Sequence, residues 1–183
     1  MLRLQRKLEI NPASIQMLIF DVDGVMTDNR MIFLKDNQEA KAFSAADGFA
    51  IKTASERYLK FGIITARGSE VTVKRCTELG VGDIVVAWDK ISALRELARK
   101  HNLDLSQIGY VGNDIPDLVA MEQVGFAVCV ADTEPELFPV SHYQTERLGG
   151  KGACREVISF VLAAKGLDLV KIYREDIANA KTR

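Results

Sequence analysis

Short, wholly apolar runs alternate along the chain with longer stretches in which apolar residues recur every three or four positions. Met17-Leu18-Ile19-Phe20 forms the heart of a strand predicted near 16–21. Comparable runs follow at Gly62-Ile63-Ile64-Thr65, Ile84-Val85-Val86-Ala87, Ile108-Gly109-Tyr110-Val111 and Phe126-Ala127-Val128-Cys129-Val130. Between them the spacing predicts helices near 48–59, 69–79, 89–100 and 115–123. The third carries Ile91, Leu94, Leu97 and Ala98 on one face, and Pro116 opens the fourth. A short helical turn near 134–138, a strand at 143–145 and a helix near 152–164 complete the series. Strands that are apolar on both faces must be covered on both faces, and regular alternation with helices makes them parallel. The expected fold is therefore a doubly wound, Rossmann-like α/β sheet.

One segment breaks the alternation. Arg30-Met31-Ile32-Phe33-Leu34 and Glu39-Ala40-Lys41-Ala42-Phe43 flank the polar run Lys35-Asp36-Asn37-Gln38, the pattern of a β-hairpin. At about residues 30–43 it is too short for a separate cap domain, so residues 1–183 read as one domain with a small flap. That flap either closes over a site or serves packing and assembly. The residues from about 167 to 183 are strongly charged and read as a tail that frays or orders only against a partner subunit.

With 183 residues, 48% hydrophobic and 27% charged, the chain has the material for one sizeable core. Its 24 basic and 25 acidic residues leave a net charge of -1, which points away from nucleic acid and from anionic membranes as partners. Cys76, Cys129 and Cys154 are odd in number, widely spaced and lack a CxxC pair, so they read as reduced packing thiols. Residues 1–10 mix charge with apolar residues and lack the continuous apolar centre of a signal peptide, and no later run is long enough to span a bilayer. A cytoplasmic protein is expected. His101 and His142 read as surface or cap histidines.

Candidate chemistry lies where the apolar runs end, since open α/β sheets bind ligands beyond the carboxyl ends of their strands. The first run closes on Asp21 and Asp23, the second on Thr65-Ala66-Arg67, the third on Asp89-Lys90, and the fourth on Gly112-Asn113-Asp114-Ile115-Pro116-Asp117. Two carboxylates about 4 Å apart repel by roughly 4 kcal/mol at an effective dielectric near 20, and a phosphate dianion adds to this. Cations must answer that charge. Lys90 supplies one, and a hard oxygen-seeking ion such as Mg2+ supplies another. Thr65 offers a hydroxyl beside the backbone N–H groups of a helix start, which suits phosphate oxygens.

Asp21-Val22-Asp23-Gly24-Val25, Thr65, Lys90 and Gly112-Asn113-Asp114 with Asp117 resemble the four ordered motifs of the haloacid dehalogenase superfamily, over nearly the whole chain. Lys41-Ala42-Phe43, Asp47-Gly48, Arg75-Cys76 and Gly149-Gly150-Lys151-Gly152-Ala153-Cys154 are similar to its small capless phosphatases of sugar-acid biosynthesis. The resemblance implies Asp21 as nucleophile and Asp23 as general acid and base. It also implies Thr65 and Lys90 as phosphoryl ligands, and Mg2+ held by Asp21, Asp23 and either Asn113 or Asp114, with Asp117 in support. Asp47, Gly48, Lys52, Arg67 and Arg75 fall where such relatives hold the rest of the substrate. The implied substrate is 3-deoxy-D-manno-octulosonate 8-phosphate or a related keto-sugar acid phosphate, and the implied assembly is a homotetramer whose subunits cover each other's sites. Departures at Ala46, Lys52, Ala66, Trp88 and Asn113 leave open two other roles. One is an aryl-phosphate-acting subunit of an aromatic carboxylase system, and the other is a non-catalytic scaffold subunit.

Overall fold

The computed structural model describes residues 10–55 and 57–180. The remainder of the opening segment and of the charged tail, residues 1–9 and 181–183, lies outside them. Six strands form one all-parallel sheet: β1 (Met17–Phe20), β4 (Lys60–Thr65), β5 (Asp83–Val86), β6 (Ile108–Gly112), β7 (Phe126–Cys129) and β8 (Tyr143–Gln144), in the order β5-β4-β1-β6-β7-β8. The chain runs outward from β1 through β4 to β5, then crosses back to place β6 on the other side of β1. That reversal opens a crevice at the carboxyl end of β1, flanked by the ends of β4 and β6.

All four residues of β1 are fully buried, because alternate side chains enter opposite cores. Leu18 and Phe20 join the helices α1 (Ala45–Ala54), α5 (Ala153–Ala164) and α6 (Leu169–Ala180) on one face, through residues such as Ile51, Val157 and Ile172. Met17 and Ile19 join α3 (Lys90–Lys100) and α4 (Ile115–Met121) on the other, through Leu94, Leu97 and Met121. The remaining long helix, α2 (Glu70–Glu78), follows β4 and buries Cys76 in the first core. The fold is the doubly wound α/β arrangement expected. The three cysteines are free and buried, in keeping with a packing role.

Three readings are corrected. Helix α1 starts and stops earlier than the periodicity over 48–59 suggests. The Ser44 side chain caps it by accepting the Asp47 N–H at 3.3 Å, and the backbone turns extended at Ser55. The presumed tail is, over Leu169–Ala180, a helix packed on the chain's own α1. It buries Leu169 and Ile172, sets Tyr173 edge-on to Phe49 at 5.6 Å, and accepts from Tyr58 Oη through Glu175. His142 is no surface residue: it is buried, and its Nδ1 accepts the Ala127 N–H at 2.8 Å, close to where β7 meets β8. His101 does sit at a helix end, where its Nε2 contacts Asp83 at 2.6 Å.

The hairpin forms as expected from β2 (Ile32–Phe33) and β3 (Glu39–Ala40), joined by a 3-10 turn over Lys35–Asn37. Met31, Ile32, Phe33 and Leu34 are all exposed on it.

Candidate active site

The crevice beyond β1 is a cavity of ≈ 420 Å3, walled by Asp21, Asp23, Thr65, Arg67, Lys90, Asn113, Asp114 and Asp117 together with Trp88 and Met31. Eight of the twelve site residues inferred from the sequence thus converge on one space, contributed by the ends of β1, β4, β5 and β6.

The loop after β1 turns sharply through Gly24, whose φ of +90° is a left-handed conformation that glycine adopts without strain. A side chain there would also collide with the Asn113 amide, 2.1 Å from where its Cβ would stand. From the other direction Gly149 lies against the same loop: a Cβ on it would come 1.8 Å from the Gly24 carbonyl oxygen, while Gly150 N–H donates to Val25 O at 2.9 Å. This explains in steric terms why the sequence carries two glycines at 149 and 150.

Behind the cavity sits a buried ion cluster. Lys90 Nζ donates to Asp21 Oδ1 at 2.8 Å and to Asp117 Oδ1 at 2.6 Å, and all three residues are at least nine-tenths buried. Asp117 accepts further from Tyr110 Oη at 2.9 Å and from the Asn113 N–H at 3.0 Å, so it holds both the lysine and the loop after β6 in place. Two carboxylates share one ammonium. Burial, and then the nearby charge of Asp117, lift the Asp21 carboxyl to about 7 in spite of Lys90. Lys90 is held above its usual range, because the two carboxylates outweigh the burial that opposes its charge. Any cation brought beside Asp21 relieves this excess of negative charge.

Among the described residues no three Asp, Glu, His or Cys side chains gather as a ready-made metal cage. Asp114 is occupied in capping α4, accepting the Ile115 N–H at 2.6 Å. Asn113 is buried, with its amide packed over Gly24. The cavity walls offer carboxylate, amide and hydroxyl oxygens and neither imidazole nor thiol, as suits a hard cation such as Mg2+.

Four residues assigned to substrate by resemblance do not line this cavity. The Asp47 carboxylate caps the start of α5, accepting Gly152 N–H at 3.1 Å and Arg155 N–H at 2.7 Å, a burial that raises its carboxyl despite those bonds. The Arg75 guanidinium lies over Gly48, with Nη2 2.3 Å from where a Cβ would stand. Arg75 pairs with Glu78 along α2, and Lys52 is exposed on α1. Asp47, Gly48 and Arg75 belong to the packing of α1 against α2 and α5, while Lys52 faces solvent. Conversely, Lys41 enters the site without having been assigned to it: its fully buried side chain donates to Asp23 Oδ1 at 2.5 Å.

An acidic residue pair at a parallel-strand end with a buried lysine beside it is an arrangement found in hydrolases of the haloacid dehalogenase superfamily, and the comparisons show that the chain is one of them. No protein-family model matches the chain. It is 37% identical over 154 residues, 84% of its own length and 82% of the other's, to the 3-deoxy-D-manno-octulosonate 8-phosphate phosphatase KdsC of Escherichia coli K12. Among solved structures it is similar to that phosphatase from Moraxella catarrhalis, crystallised with magnesium, phosphate and KDO: TM-score 0.83, 32% identity, 94% of this chain and 96% of that one. A Legionella pneumophila protein assigned to subfamily III A of the superfamily gives a TM-score of 0.86 at 31% identity, over 90% and 92% of the two chains. The chain belongs to the 3-deoxy-D-manno-octulosonate 8-phosphate phosphatase family and is a phosphatase.

Proposed function

We propose that this phosphatase hydrolyses 3-deoxy-D-manno-octulosonate 8-phosphate, or a related keto-sugar acid phosphate, through an aspartyl phosphate on Asp21. The observation that carries the reading is Asp21 itself, an almost fully buried carboxylate opening onto a cavity and held by Lys90 from behind. In the first step a carboxylate oxygen of Asp21 bonds to phosphorus as the ester P–O bond breaks, and Asp23 gives a proton to the departing sugar oxygen. In the second, water attacks the phosphorus, returns a proton to Asp23, and the bond from Asp21 to phosphorus breaks to free phosphate. Thr65 and Lys90 bind phosphoryl oxygens, and Arg67 stands on the cavity wall as the cation for a substrate carboxylate.

The oxygen-only donor set fits Mg2+, held by the Asp21 carboxylate, the Asp23 backbone carbonyl and the Asn113 amide oxygen. Asp114 is set aside because its carboxylate caps α4. When bound there, Mg2+ offsets the charge of Asp21 and polarises the phosphoryl group. The relative from Moraxella catarrhalis, crystallised with magnesium, phosphate and KDO, supports the same ion and substrate class here.

Phosphate release from a panel of esters tests the reading. The octulosonate 8-phosphate is expected to exceed phenyl phosphate in kcat/KM by about a hundredfold, and chelation by EDTA to abolish turnover until Mg2+ is restored. Preference for phenyl phosphate would move the assignment to the aryl-phosphate role, which Trp88, 78% exposed at the cavity edge, otherwise supports. Silence on every ester would leave only the scaffold role.

We further infer that the chain acts as one domain without a cap and that four copies assemble, so that neighbours wall each cavity. In support, the hairpin exposes Met31, Ile32, Phe33 and Leu34, while Val86, Trp88, Ile115 and Val119 are exposed around the ends of β5 and β6. Light scattering at micromolar concentration is expected to give the mass of a tetramer, and a monomer would refute the assembly.

A further inference from the structure

Asp23 is held by a chain of alternating charge that begins on the hairpin. Lys41, which leaves β3, donates to Asp23 Oδ1 at 2.5 Å. The same ammonium lies 3.7 Å from Glu39 Oε1, and that oxygen accepts from Arg67 Nη1 at 2.6 Å. The Arg67 guanidinium also covers the Phe33 ring, 5.6 Å from its centre, so the last cation of the series rests on the other hairpin strand.

A lysine side chain with no exposure is costly to bury unless its charge is answered, and Glu39 answers it in both steps, joined by Asp23 whenever that residue is ionised. Held between them, the ammonium has one position, and an aspartate bonded to a fixed donor loses the rotation about χ1 and χ2 that a free carboxylate retains. Only Oδ1 of Asp23 is used in this bond. Among the described residues no hydrogen bond reaches Oδ2.

We propose that Lys41 is a positioning residue that fixes Asp23 so that Oδ2 meets the departing ester oxygen, making the seating of the hairpin a condition for proton transfer. The proposal rests on the reading of Asp23 as acid and base given above. An acid misplaced by one ångström loses most of its effect while the nucleophile, anchored separately by Lys90, keeps its own.

The test uses Lys41→Met and Lys41→Arg in the full chain at saturating Mg2+. It measures kcat/KM for p-nitrophenyl phosphate and for whichever sugar phosphate the wild type turns over fastest. Nitrophenolate leaves without taking a proton, whereas a sugar alkoxide needs one. Lys41→Met is expected to lower kcat/KM about a hundredfold on the sugar phosphate and about threefold or less on the nitrophenyl ester. Lys41→Arg, which keeps a cationic donor, should recover most of the loss. Lys41→Gln provides the same comparison if the methionine variant does not fold, as judged by its near-ultraviolet circular dichroism. Equal losses on both esters, or no loss on either, would overturn the positioning role. A wild type idle on both esters would overturn the reading of Asp23 itself.

Discussion

Asp21→Asn is expected to abolish phosphate release, by a factor of about 10^4 or more, while the protein stays folded with a thermal midpoint equal to or above that of the wild type. The two halves of this result have one cause. Asp21 is 6% exposed and its carboxyl is pushed up to about 7 by burial and by Asp117, so the folded protein at neutral pH carries a charge that its surroundings resist. The amide has nearly the same shape and no charge, so this resistance disappears together with the nucleophile. Residual turnover within tenfold of the wild type would remove Asp21 from the chemistry. A large fall in midpoint would mean that its ionised pairing with Lys90 is worth more than its burial costs.

Lys90→Met works in the opposite sense and should damage both activity and stability. Lys90 is the ammonium shared by Asp21 and Asp117, and without it two buried carboxyl groups face each other with no cation between them. Breaking a buried ion pair by removing one partner typically costs about 3–5 kcal/mol, and loss of a cation from a phosphoryl-binding site costs about 10^2–10^3 in kcat. Chemical denaturation and steady-state kinetics measure the two effects. The double variant Lys90→Met with Asp117→Asn then separates them. Stability is expected to return in large part, since one carboxylate has been neutralised, whereas activity should stay low. A Lys90→Met protein as stable as the wild type would show that the cluster relaxes by protonation alone.

The alternation of apolar runs and helical periods was sufficient to place every strand of the parallel sheet to within about two residues, because such strands leave a short, largely apolar run between helices. The same runs, by ending in Asp21, Thr65, Lys90 and Asn113, pointed at one crevice, since strand ends in this architecture converge whatever lies between them. Three features were not legible. Helix α6 was obscured by its charged residues, although Leu169, Ile172 and Tyr173 follow the i, i+3, i+4 rule on the face that meets α1. The role of Lys41 was hidden for a different reason: its partner is Asp23, and only the folding back of the hairpin joins them. Asp47, Gly48, Lys52 and Arg75 lie outside the cavity of this chain, and nothing in their local pattern distinguishes a residue that lines the crevice from one that caps a helix, packs against one or faces solvent.

The contact between Gly149 and the Gly24 carbonyl bears on how much of the chain the site requires. One wall of the nucleophile loop is supplied by backbone far downstream of it, beyond β8. A chain lacking that later portion keeps Asn113 against residue 24 but loses the Gly149 backbone beside it, and with α5 and α6 it loses part of the first core. Competence to react therefore requires backbone beyond β8, and a fragment stopped short of residue 149 would possess its aspartates without the full shape that makes them useful.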